Sequence, residues 1–414
     1  HAAHRLVVLG SGWAGFRLIQ GLDTSLFEVT VVSPKNHFTF TPLLASSAVG
    51  TLEFRCVTEP VKRVPNLAFF EATCTRIDLL NRSIECASAL EAFKGDSFAV
   101  NYDSLVIATG AVSNTFNIPG VKEHALFLKD VTDARKIRSK IMECFEHASQ
   151  PNISESDRSK LLTLPSSEAA HWYSWAFDEK LSTYARDRFT RKGITLRLGE
   201  GVKEVHKSHF VLQSGTKVDY GMLVWSTGVG PVDLVKDLTS SALARDKTMG
   251  RIITDNHCRV LDANLKPIDR VYALGDCATI QDRQLPCTAQ VANQKGAWLL
   301  KALNKSIKAS PDGLSTFESV GVKPFEYNHM GSLAYIGKWR AVVDMSSPKS
   351  TSKTTESSDV IDTLKELVPK SGISAWLFWR SAYFTMSVST KNKIMIPMYW
   401  FLTWIFGRDI TRFH

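Results

Sequence analysis

The run Gly10-Ser11-Gly12-Trp13-Ala14-Gly15 spaces three glycines so that a backbone can wrap around a pyrophosphate. Gly10 suits the tight turn, Gly12 keeps a side chain out of the phosphates' path, and Gly15 lets the next helix pack close to the preceding strand. The helix that opens here offers free N–H groups and the positive end of its dipole to two negative charges. At the end of the following strand, where an acid that holds a ribose hydroxyl is expected, the chain has Ser33, with Lys35 two residues on. A serine makes the same hydrogen bond more weakly. The seven cysteines are scattered, with no CxxC and no zinc-ligand spacing, so neither a metal site nor disulfide-exchange chemistry is expected.

The elements that must position this turn are legible around it. Arg5–Leu9 reads as a buried strand, Phe16–Leu22 as a helix and Glu28–Val32 as a second strand, and that order gives the glycine motif its weight. Two more apolar runs end in Thr-Gly, at Thr109-Gly110 and Thr227-Gly228, and Arg270–Leu274 reads as a strand ending in Gly275-Asp276. Taken alone, Asp276 reads equally well as a turn or cap aspartate. Gln290 and Gln294 stand four apart and share one face of a helix. Their amides can hydrogen-bond carbonyl groups where the small Ala289 and Ala292 allow close approach, or simply face solvent.

The chain's 414 residues, 44% hydrophobic and 22% charged, describe a globular protein of two or three domains. Disorder, collagen and a polytopic membrane protein are excluded. The net charge of +9 comes without a long basic run interleaved with aromatics, so no nucleic-acid partner is expected and an anionic membrane surface is favoured.

Several longer segments carry a family resemblance: Val8–Phe16, Val31–Phe38, Phe40–Leu44, Val49–Arg55, Thr288–Gln294, Phe325–Gly337, Trp379–Tyr383 and Phe406–Ile410. Together they resemble the mitochondrial type II, non-proton-pumping NADH:ubiquinone oxidoreductases. The resemblance implies an α/β fold of the two-dinucleotide-binding-domain flavoproteins, with a Rossmann-like FAD domain and helices on the surface of the mitochondrial inner membrane. It implies FAD held by the glycine turn, Thr109, Gly110 and Gly275, with Asp276 on the ribityl chain and Thr41 and Pro42 beside the flavin. Ubiquinone would sit near Ala289, Gln290 and Gln294. The implied domains are 1–110 with 229–325 for FAD, 111–228 for NADH, and 326–414 for membrane attachment. A homodimer or the subunits of a respiratory complex are the possible protein partners, and no residue is singled out as catalytic.

The middle of the chain departs from that pattern. A second strand, glycine turn and helix for NADH should lie between residues 111 and 222. The glycines present are Gly120, Gly193, Gly199, Gly201, Gly215 and Gly221, and none forms a GxGxxG. The strand that begins at Ser159–Leu164 passes instead into Pro165–Ala176, and the family pattern resumes at Phe177. Either NADH binding is lost, or residues that follow Thr163 are missing from the sequence, or NADH binds by another route. Two function classes therefore stand: an NADH:quinone oxidoreductase, and a relative that keeps FAD as a structural or assembly subunit. A sulfide:quinone oxidoreductase would need a redox-active cysteine pair, and none is evident from spacing.

The tail is rich in aromatics and holds no apolar run of the 18 or so residues a spanning helix needs. It predicts two interfacial helices, with Trp376, Trp379, Tyr399, Trp400 and Trp404 at the membrane and Arg380 reaching the headgroups. Their alternative is a core or dimer-interface helix pair. Met345–Glu356, rich in Ser, Thr and Lys, reads as a solvated loop.

Overall fold

A computed structural model describes residues 3–166, 179–192, 194–238, 243–310, 315–337, 339–345, 371–387 and 389–409. Residues 167–178, most of the departure after Thr163, and 346–356 of the predicted loop lie outside the described residues. Helices of seven residues or more are α1 (Trp13–Ile19), α2 (Val131–Ala148), α3 (Glu155–Leu162), α4 (Glu179–Thr190), α5 (Ala289–Lys308), α6 (Gly372–Met386) and α7 (Thr390–Phe406). The chain divides into two compact units. The first holds residues 1–39, 58–112 and 229–328, and the second holds 40–57, 113–228 and 329–414.

The first unit is built on a ten-stranded sheet. In chain order its strands are β1 (His4–Leu9), β2 (Phe27–Ser33), β3 (Leu67–Asp78), β4 (Ser83–Ser88), β5 (Ser97–Asn101) and β6 (Ser104–Ile107). They are followed by β7 (Ile252–Thr254), β8 (Arg259–Leu261), β9 (Pro267–Ala273) and β10 (Ala278–Ile280). Across the sheet they run β10-β7-β8-β9-β6-β1-β2-β3-β4-β5. The central five, β9-β6-β1-β2-β3, are parallel. Parallel strands are covered on both faces, which is why Leu6–Leu9 and Leu105–Ile107 are unbroken apolar runs, each residue at most 1% exposed. The strand order reverses at β1, so β2 and β6 flank it and a crevice opens at their carboxyl ends, where open α/β sheets bind ligands. Helix α1 starts at Trp13, three residues earlier than the sequence suggests, because Gly12 is already extended as its N-cap.

In the second unit, Leu126–Phe127 pairs in parallel with Val224–Trp225, and a meander of 202–205, 209–212 and 217–219 packs Val205, Phe210 and Leu212 around Trp225. Thr163–Ser166 runs alongside: the Thr163 carbonyl accepts from Gly221 N–H, and Ser166 bridges Val224. At the end of the chain α6 packs on the hairpin Ser332–Tyr335/Ala341–Asp344. The Arg138 guanidinium of α2 grips Asp409 through its carboxylate (2.5 Å) and its carbonyl (3.0 Å), which fixes the chain just beyond α7.

Candidate functional site

Three chain segments meet at the carboxyl ends of β1, β6 and β9. Gly10 has φ +103°, and a Cβ there would lie 2.3 Å from the Ala108 carbonyl oxygen, so only glycine lets β6 pass the turn this closely. A Cβ on Gly15 would lie 2.1 Å from Gly10 O. Gly12 differs: nothing stands within 4 Å of where its Cβ would be, so its face of the turn is open. Beside the turn, the Thr109 hydroxyl is buried without a hydrogen-bond partner, and Gly110 (φ +67°) also faces open space. Gly275 closes the third side: a Cβ there would lie 3.6 Å from that of Ala14 and 3.8 Å from that of Ala292 of α5, and Asp276 follows it at the end of β9. Neither α1 nor α5 has an acid in its first turn, so both present an uncancelled positive end.

These residues fit a dinucleotide. The glycine cradle is open where phosphates would lie, and an orphaned buried hydroxyl beside it lacks only a ligand atom. Ser33 is 3% exposed and its hydroxyl is tied to that of Ser11 at 2.9 Å, inside the turn. Lys35 beyond it is exposed. An acid does stand beside the end of β2: Glu71 of β3 is the register partner of Ser33 and shares its face of the sheet. Sequence reading missed Glu71 because its place depends on strand register, which no local pattern reveals. Under the crevice Cys277 donates to the Leu274 and Ile107 carbonyls, and burial raises its thiol, so it is a structural thiol. Lys295 of α5 is 1% exposed, and burial lowers its pKa.

Gln290 and Gln294 do lie on one helix, but their amides are engaged. Gln294 donates to Asn328 O (2.8 Å) and accepts from Asn328 N–H (3.0 Å), clamping the 325–328 segment to α5. Gln290 accepts at Oε1 from the Tyr327 hydroxyl (3.0 Å). Thr41 and Pro42 form a 3₁₀ turn in the second unit.

The tail divides its aromatics differently from the expectation. Trp376 and Trp379 are each 6% exposed. Trp376 meets Trp339, and Trp379 meets Tyr335 and Tyr383. They pack inward because the 332–344 hairpin covers that side of α6. Arg380 does not reach outward either. Its guanidinium lies 4.2 Å over Trp376 and 4.1 Å over Trp400, and burial pulls its pKa down to about 10. This cation–π stack joins α6 to α7. The face left outside consists of Ile394, Met398, Phe401, Leu402, Trp404, Ile405 and Phe406 on α7, with Ile373 and Leu377 on α6. Tyr399 and Trp400 are half-buried. Among the described residues no helix is long and apolar enough to cross a membrane.

Residues 4–153 and 168–296 match the family model described as pyridine nucleotide-disulphide oxidoreductase, and 329–409 match the NDH2 C-terminal domain. The interruption, 154–167, includes Thr163. An internal alternative NAD(P)H-ubiquinone oxidoreductase A1, mitochondrial, of Solanum tuberosum is 38% identical, covering 99% of this chain and 88% of the relative. That alignment runs over 459 positions while the chain has 414 residues, so at least 45 positions are filled in the relative alone. External NADH-ubiquinone oxidoreductase 2, mitochondrial, of Saccharomyces cerevisiae is 34% identical over 98% of this chain and 81% of its own. The structure of NDH2 from Plasmodium falciparum in complex with NADH superposes with a TM-score of 0.84 at 23% identity, covering 99% of this chain and 100% of that one.

Proposed function

The chain belongs to the type II NADH dehydrogenase family, and from that premise we propose an FAD flavoprotein of the mitochondrial inner-membrane surface that delivers electrons to ubiquinone, with its own NADH half-reaction impaired. The observation that carries this reading is the open cradle at Gly12, bounded by the orphaned Thr109 hydroxyl and by Gly275-Asp276. When bound, FAD supplies a ring that takes a hydride from a nicotinamide and returns electrons to a quinone. The protein's own contribution is to hold that group. Backbone N–H groups of the turn and α1 neutralise the pyrophosphate, Thr109 donates into the crevice, Asp276 takes the ribityl hydroxyls, and Glu71 or Lys35 takes the adenosine end. The quinone is taken beside Gln290 and the Tyr327 hydroxyl that donates to it, while Gln294 positions the segment that carries Tyr327.

The function is tested with the holoprotein reduced by dithionite and mixed anaerobically with a short-chain ubiquinone. The flavin band is expected to return, and more slowly in Gln290→Leu. A flavin that stays reduced would refute quinone transfer. The second reading, a structural or assembly subunit of a respiratory complex, gives that same lack of reoxidation. It draws support from the acidic residues in the first turns of the described helices between 113 and 228, Glu123, Asp133, Glu155, Asp157 and Glu179.

Membrane attachment rests on the exposed face of α7. Fully burying one large apolar side chain is worth about 1.5–3 kcal/mol. Phe401→Glu with Trp404→Glu is therefore expected to lower vesicle binding on the order of 100-fold or more, read by co-sedimentation with anionic liposomes. Unchanged binding would place the membrane contact elsewhere.

A further inference from the structure

Cys74 and Cys86 lie far apart by the spacing rules for cysteine motifs, yet β3 and β4 set them directly opposite each other across an antiparallel ladder. Directly opposed residues in such a ladder have Cα atoms about 4.5–5.5 Å apart, inside the roughly 4.4–6.8 Å range that a disulfide spans. Both are free thiols, Cys86 fully buried and Cys74 7% exposed, on the apolar face of the strands. The ladder is broken by a bulge between Cys74 and Arg76, and the Cys74 thiol donates to the Arg76 carbonyl at 3.4 Å. A bulge twists a strand locally and gives it latitude to move a side chain.

We propose that Cys74 and Cys86 are a reversible dithiol–disulfide couple, oxidised by hydrogen peroxide and restored by a thiol reductant. The oxidant is small, with only two heavy atoms, and approaches from the side of Cys74, which keeps some exposure where Cys86 keeps none. One sulfur attacks the peroxide O–O bond, which breaks; that sulfur becomes a sulfenic acid and the departing oxygen leaves as water. The second sulfur attacks the sulfenic sulfur, the S–O bond breaks, and a second water leaves with the remaining thiol proton. The two thiols supply the two electrons that reduce one peroxide to two waters. A dithiol reductant reverses the change by exchange, giving its own two electrons and two protons. The register sets the two thiols side by side on the buried face, with the Cys74 proton donated to the Arg76 carbonyl. The bond would pin the bulged part of β3 to β4, three residues from Glu71, the partner of Ser33.

The test uses the full chain, treated with equimolar peroxide, blocked with an alkylating agent under denaturing conditions and digested with trypsin. Arg76 and Arg82 lie between the two cysteines, so Val64–Arg76 and Ser83–Lys94 leave as separate peptides, each with one cysteine. The expected product is these two peptides joined, about 2 Da lighter than their sum, with the other five of the seven cysteines alkylated. The joined species should vanish on reduction and in both Cys74→Ser and Cys86→Ser. The oxidised protein should also melt at a higher temperature, since closing the loop restricts the unfolded chain. Seven alkylated cysteines, a sulfinic acid at Cys74 without a joined peptide, or a link to any other cysteine would each overturn the proposal.

Discussion

Gly12→Asp is expected to yield a folded, colourless protein. Gly12 sits at φ −76°, a conformation open to any residue, and nothing lies within 4 Å of its would-be Cβ. A side chain there strains nothing in the apo fold; it only enters the space the phosphates need. An aspartate adds a like charge, and two unit charges about 4 Å apart at an effective dielectric near 20 interact by about 4 kcal/mol. That corresponds to roughly a 1000-fold weaker affinity. Gly12→Val separates steric exclusion from charge and should lose flavin less completely. Gly10→Ala is the contrasting case. Its Cβ would meet the Ala108 oxygen at 2.3 Å in a left-handed backbone, so overpacking alone costs about 1–3 kcal/mol and the melting temperature should fall. The measurement is the flavin-to-protein absorbance ratio after gel filtration, with circular dichroism as the check on folding. A Gly12→Asp protein that keeps its flavin would remove the cradle from the reading.

What the sequence made legible is what local chemistry dictates. Gly10, Gly12, Gly15 and the Gly275-Asp276 turn each sit at the end of an apolar strand, and a strand followed by glycine is readable in a few residues. What stayed hidden depends on contacts between distant segments. Glu71 stands beside Ser33, and Cys74 faces Cys86, only because β3 pairs with both β2 and β4 in one register. Trp376, Trp379 and Arg380 have the composition of a membrane face, yet the hairpin 332–344 and Trp400 claim them. An amphipathic pattern marks a face that must be covered without saying by what. Gln294 shows the same limit, since two hydrogen bonds to Asn328 commit an amide whose spacing alone suggested a ligand.

Excess NADH, mixed anaerobically with the oxidised holoprotein, is expected to leave the flavin band unbleached for seconds, although dithionite bleaches it. The reason is electrostatic and geometric together. Among the described residues of 113–228, every helix begins with acid: Glu123 in the short helix Val121–His124, Asp133 in α2, Glu155 and Asp157 in α3, and Glu179 in α4. In α2 the Asp130 and Asp133 carboxylates already take the N-terminal N–H groups as a capping box, so a pyrophosphate meets negative charge where it needs free donors. Of the glycines there, Gly199 and Gly215 face open space but lead into strands and not into a helix, while Gly120 and Gly221 serve packing. A Cβ on Gly120 would lie 1.8 Å from Val205 O, and one on Gly221 would lie 2.2 Å from Leu161 O. Neither leaves the opening that Gly12 leaves in the first unit. Among the described residues of 113–228 there is no such cradle; without one the nicotinamide is not held against the flavin, and positioning of that kind is worth about 7–11 kcal/mol of barrier. Losing even half of it slows hydride transfer by roughly 300-fold or more. Bleaching within the first second at millimolar NADH would overturn the expectation and require a nicotinamide site built without a glycine turn. A flat trace, together with a dithionite-reduced flavin that ubiquinone reoxidises, would mark a chain that has kept the quinone half of its family's reaction and lost the other.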